Sequence, residues 1–171
     1  MASSVTLPEH FAEASKSGDF GWGRVAKAIE PLPRDTEPVR TAAILVFLMN
    51  DLERFAHNDR GLQVFYQARR SRDLTLDLPR AFERIGQSDF AADFRALRSR
   101  AHPDRDDLFL AWLRSEELDS FWEPVREISV KLRKASLETA ILGWIKGQSE
   151  GLSSIMIPSP KRGLFGRLFG S

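Results

Sequence analysis

The sequence predicts an all-α fold, an irregular bundle of about seven or eight helices with a flexible basic and aromatic C-terminal tail. Apolar residues recur at three- and four-residue spacing through most of the chain. One stretch, 38–57, is apolar nearly all round in its first half, as a central buried helix must be. Convincing strand patterns are missing: only Leu74, Leu76 and Leu78 alternate, and a five-residue piece without a partner is better read as a loop.

Residues 8–17 and 20–30 read as two short helices, loosely joined at Gly18, Gly21 and Gly23. Pro31, Pro33 and Pro38 enforce a linker, after which Thr36 is placed to cap the central helix. That helix carries Ala42 to Met49, Leu52 and Phe55, and ends in the turn residues His57-Asn58-Asp59-Arg60-Gly61. A short apolar piece, Leu62 to Tyr66, precedes the polar loop 69–73. Asp77 is placed to cap a helix holding Ala81, Phe82 and Ile85, stopped by Gly86. Ser88 is placed to cap another, on which Phe90, Phe94, Leu97 and Ala101 fall within about 40° of one line. Leu108 to Leu113 form a short helix. Ser115 caps a longer one, with Phe121, Trp122, Val125, Ile128 and Leu132 inward and Pro124 kinking it or starting a new segment. A last helix spans about 135–147.

From 148 the residues turn to Ser, Gly and Pro, so the reading is one domain over 1–147 followed by a linker and tail over 148–171. A chain of 171 residues suits one domain. No cysteine is present, which removes disulfides and thiol chemistry. The start lacks the charge and apolar pattern of a secretory signal, and the longest apolar run, 42–49, is far below the ~20 residues of a spanning helix. A soluble, cytoplasmic protein is expected. With 25 basic against 24 acidic residues, direct nucleic-acid binding is not expected.

Two resemblances concern function. His102-Pro103-Asp104 follows a basic amphipathic helix, as in J-domain co-chaperones, although only residues 90–105 share the pattern. The longer resemblance begins at Glu53-Arg54-Phe55 and Asn58-Asp59-Arg60-Gly61-Leu62-Gln63-Val64-Phe65-Tyr66, a degenerate form of E-x-N-N-G-G-F-x-Q-F-F. Arg80 to Ala91, with Ile85-Gly86 at its centre, matches a second segment, and Leu118-Asp119-Ser120-Phe121-Trp122 a third. In that order they resemble the helical family typified by the DNA-mimic protein, over a core of about 40–147. Arg60 replaces one glycine of the pair, and Asp59 the second asparagine.

That resemblance implies a non-catalytic domain without cofactor, and a protein partner met through an acidic surface. The acidic residues in reach of such a role are Asp104, Asp106, Asp107, Glu116, Asp119, Glu123 and Glu127, among eight acids and three bases over 103–127. The tail offers a second contact. Leu164, Phe165, Leu168 and Phe169 would share a ~140° arc of a helix beside Lys161, Arg162 and Arg167, suited to a partner's groove or weak attachment to a membrane surface as a peripheral or adaptor protein. The other reading is that the tail folds back onto a groove of the domain or stays disordered. For catalysis the residues offer little: His57 with Asp51, Glu53 and Asp59 is the one conceivable acid–base or metal cluster, and a His there more often satisfies a helix end. No enzyme and no metal are expected, and the oligomeric state is left open.

Overall fold

The computed structural model describes residues 4–10, 12, 21–100, 105–113, 119–153 and 155–158. The fold is all-α, as expected. The helices are α1 (Trp22–Ile29), α2 (Glu37–Arg54), α3 (Gly61–Gln67), α4 (Leu78–Arg84), α5 (Ser88–Ser99), α6 (Asp106–Trp112), α7 (Asp119–Lys134), α8 (Leu137–Gly147) and α9 (Ser149–Leu152), and residues 7–10 are helical as well. Two 3-10 turns, Ala56–Asn58 and Arg72–Asp77, lie between them.

α2 is the hub. Every residue from Thr41 to Met49 is buried, because α1, α3, α4, α7 and α9 pack around it. Phe47, Phe94 and Phe121, from three different helices, share one interior with Ile85, the residue that caps the end of α4. Burying a large apolar side chain stabilises the fold by about 1.5–3 kcal/mol, so the aromatic residues dominate the core. Tyr66 sits edge-on to Phe109 and Phe121, and Trp112 and Trp122 flank Phe121, as core-stripe residues should.

Glycine and turn chemistry set the joins. Gly61 starts α3 where that helix crosses α2: a Cβ there would lie 2.5 Å from Leu52 Cα and 2.8 Å from the Asp51 carbonyl oxygen. Gly86 has φ +73°, and the Gly86 and Gln87 amides donate to the Glu83 and Phe82 carbonyls at 3.0 and 2.8 Å. This is the Schellman ending of α4, for which a left-handed glycine is the favoured residue.

Several expectations are corrected. Thr36 and Asp77 occupy N-cap positions but make no side-chain cap bond; Asp77 accepts instead from Arg40 at 2.5 Å. α5 begins at Ser88 itself, with Gln87 in the cap position and no side-chain cap. The Leu74–Leu78 stretch is a 3-10 turn running into α4, which buries Leu74 and Leu78 on one side. Pro124 starts no new segment, since α7 runs through it as one helix.

The largest departure concerns the segment after 147. Leu152 and Ile155 are buried, and β2 (Met156–Pro158) pairs antiparallel with β1 (Ser4–Thr6), Val5 opposite Ile157. The Leu7 amide extends the pairing by donating to the Ile155 carbonyl at 2.8 Å. Gly151 belongs to this arrangement: a Cβ there would meet Pro38 Cγ at 2.9 Å. The expected linker is therefore folded up to Pro158, and its glycine serves close packing rather than looseness. Residues 159–171, with Lys161, Arg162, Leu164, Phe165, Arg167, Leu168 and Phe169, lie outside the described residues.

Candidate binding groove

A groove of about 430 Å³ opens among the described residues. That is within the ~300–1,000 Å³ of typical ligand sites. Trp22 comes to it from α1, Met49, Leu52 and Glu53 from α2, Ala56 from the 3-10 turn, Leu132 to Lys134 from the end of α7, and Ala135 and Glu138 from the α7–α8 join. Small residues make the opening. Ala56 and Ala135 stand where longer side chains would close it, over a floor of Trp22, Met49, Leu52 and Leu132 that is nearly inaccessible to solvent.

Arg133 fixes one wall. Its guanidinium donates to the Ala56 carbonyl and pairs with Asp59 at 3.0 Å, tying the end of α7 to the turn after α2. Asp59 meets it from a left-handed backbone, φ 57°, and the Asn58 side chain accepts from the Arg60 amide at 3.2 Å to hold that bend. Such non-glycine conformations are uncommon and favour Asp or Asn. Of the remaining charges on the rim, Glu53, Glu138 and Lys134 form no ion pair among the described residues. With Arg133 matched by Asp59, the unmatched rim carries two carboxylates and one ammonium. It is mildly acidic over an apolar floor.

A second constellation is structural. Asp51 is fully buried, accepts from Arg70 and from Asn50 Nδ2, and leaves its second carboxylate oxygen without a hydrogen bond. Burial pushes its carboxyl above the usual range, and the Arg70 contact only partly offsets this. The Arg34 and Arg70 guanidinium groups lie 4.9 and 5.2 Å from the Phe47 ring centre, two cation–π contacts at one side of α2.

The sequence-derived sites fall as follows. Asp106, Asp107, Glu123 and Glu127 are all exposed. Three of them are engaged by arginine: Asp106 by Arg98 at 3.0 Å, Asp107 by Arg105 at 2.8 Å and Glu123 by Arg126 at 3.6 Å. The Arg105 hydrogen bonds hold the Asp107 carboxyl below the ordinary range. The described part of this face is thus laced with cations rather than uniformly negative. Asp104, Glu116 and Leu118, like the His102-Pro103-Asp104 tripeptide, lie outside the described residues, as does the side chain of Asp119.

The motif positions mostly build the fold. Gly61 permits the α2–α3 crossing, Gly86 ends α4, and Phe65, Ile85 and Phe121 are buried. Glu53 is the exception, standing exposed at the groove, and Asn58 shapes the turn beside it. His57 is exposed; Asp51 and Asp59 are each taken up by an arginine, and Glu53 faces the groove. Among the described residues no three His, Asp or Glu side chains are grouped as metal ligands. No described helix is long and apolar enough to cross a membrane.

Sequence reasoning missed the groove because its walls come from residues 22, 49–56 and 132–138, far apart in the chain. Its floor residues carry the same apolar signal as core. Small residues at two helix ends, Ala56 and Ala135, were the only local hint.

Comparison with models of known protein families, with characterised proteins and with solved structures gave no match.

Proposed function

We propose that this chain is a non-enzymatic protein-interaction domain, of the helical kind its motifs resemble, that receives an amphipathic segment of a partner in the Trp22–Leu52–Leu132 groove. The observation that carries this reading is the pairing of an apolar floor with unmatched Glu53 and Glu138 on the rim. A helix or extended segment with apolar anchors on one side and a Lys or Arg beside them fits that chemistry. Two buried anchors would contribute about 1.5–3 kcal/mol each, less the cost of ordering the segment, so the contact is weak and exchangeable.

The acidic face is the alternative contact, favoured by the exposure of Asp106, Asp107, Glu123 and Glu127, and disfavoured by their arginine partners. One experiment separates the two. Proteins cross-linked to the wild-type chain are compared with those cross-linked to Ala135→Glu, which fills and charges the groove, and to Glu123→Lys/Glu127→Lys. Loss of partners from Ala135→Glu alone is expected. An unchanged set from Ala135→Glu, with losses from the double reversal, would transfer the function to the acidic face.

A further inference from the structure

We infer that residues 159–171 of this chain are an intramolecular occupant of the groove, a tethered competitor that any partner has to displace. The inference rests on the groove being a binding site and adds what regulates it.

Three observations converge on it. The first is position. β2 ends at Pro158 and packs against α1, whose Trp22 forms part of the groove floor. α1 has eight residues and so spans only about 12 Å. A chain leaving β2 advances about 3.3 Å per residue when extended, so the six residues up to Leu164 cover ~20 Å and the groove is within reach. The second is apolar content. Leu164, Phe165, Leu168 and Phe169 offer anchors spaced for one side of a helical turn, to be set against a floor of Trp22, Met49, Leu52 and Leu132. The third is charge. Lys161, Arg162 and Arg167 flank those anchors, and the two unmatched rim carboxylates, Glu53 and Glu138, are their complement.

Gly163 and Gly166 raise the entropy cost of ordering the segment, so its affinity as a free peptide is low. Attachment compensates. A short tether holds the segment near its site at an effective concentration in the millimolar range, enough to occupy a weak site without blocking it permanently. A partner segment of similar chemistry but better anchors then competes on equal terms once its concentration is sufficient.

The chain contains no cysteine, so a nitroxide label placed by Ser171→Cys on the 171-residue chain is unique. Selective loss of amide intensity at Leu52, Ala56, Lys134 and Ala135, sparing the Ser88–Ser99 helix, is expected in the NMR spectrum. The loss should disappear in Phe165→Ser/Phe169→Ser and weaken in Glu53→Lys/Glu138→Lys. Uniform or absent loss across the domain would overturn the inference. So would loss that appears only when labelled unenriched protein is mixed with label-free enriched protein, since the occupant would then be another copy's tail. The two readings fail separately. If Ala135→Glu changes partner capture while the label spares the groove, the groove stands as a partner site and the tethered competitor falls. If the label bleaches the groove while capture ignores Ala135→Glu, the tail docks but the partner site is elsewhere.

Discussion

Replacing Gly61 by alanine should be among the most damaging one-methyl changes this fold can receive. The added Cβ would stand 2.5 Å from Leu52 Cα and 2.8 Å from both the Leu52 nitrogen and the Asp51 carbonyl oxygen. All three are backbone atoms of α2, and the Asp51 carbonyl already holds the Phe55 amide at 3.0 Å, so no side chain can swing aside. The two helices must separate instead. Overpacking of this kind costs about 1–3 kcal/mol, and the loss of glycine's freedom in the unfolded chain returns at most ~0.5–1 kcal/mol. The net is a destabilisation of roughly 1–2 kcal/mol, or a fall of about 2–8 °C in Tm for a chain of this length. Urea denaturation followed by far-ultraviolet circular dichroism measures it, with Gly143→Ala as the matched control. Gly143 is exposed within α8 and a Cβ there meets nothing within 4 Å, so that change should raise stability by about 0.5–1 kcal/mol. Opposite signs from one substitution type are the expected result. Gly61→Ala within about 0.5 kcal/mol of wild type would refute the tight-crossing account, the usual scatter for innocuous surface changes being of that size.

Other consequences are equally direct. Asp51 holds its proton to higher pH folded than unfolded, so folding takes up a proton in the window above the ordinary Asp pKa, and stability falls as pH rises through it. The stability of Asp51→Asn relative to wild type should therefore climb from about pH 4 upward and level off above the folded-state pKa; parallel pH profiles would contradict the burial argument. Gly86→Ala, at φ +73° with open space around it, should cost about 1–2 kcal/mol through backbone strain alone, and an Asn at the same position should recover part of that. Phe47→Ala should lose about 3–5 kcal/mol because it empties the interior and removes the ring under two guanidinium groups, whereas a loss under 2 kcal/mol would mean the arginines close over the gap.

The legible parts of this sequence were those whose signal is local and repeated. The run from Ala42 to Met49 could only be a helix surrounded by others, and Phe94 with Leu97 announced a one-sided helix by spacing alone. Capping was less legible. Asp77 is a good cap by residue type, but Arg40, from another helix, outcompetes the local amide for its carboxylate. The Met156–Pro158 strand was illegible because three residues carry no periodicity and their partner is at the other end of the chain. Gly151 misled for a related reason: glycine marks both loose chain and tight contact, and only the position of Pro38 decides between them. The acidic surface was read from the excess of acids over bases in 103–127, which says nothing of Arg98, Arg105 and Arg126 pairing with Asp106, Asp107 and Glu123. A groove made from three distant segments leaves no pattern in any one of them.

The ribbon joining residues 4–6 to 156–158 also orders events during synthesis. The earlier helices, α1 to α5, can begin to assemble while the ribosome is still adding residues, since most of their contacts are between neighbours in sequence. The first strand, by contrast, has nothing to pair with until the last turn of the domain emerges. Nascent chains are thus committed to expose Leu7 and the edge of Ser4–Thr6 for nearly the whole of translation, and a chain stopped before Pro158 never shields them. The same closure sets Ser4 opposite Pro158, so a permuted chain that joins these two positions and opens elsewhere would have a first strand that no longer waits.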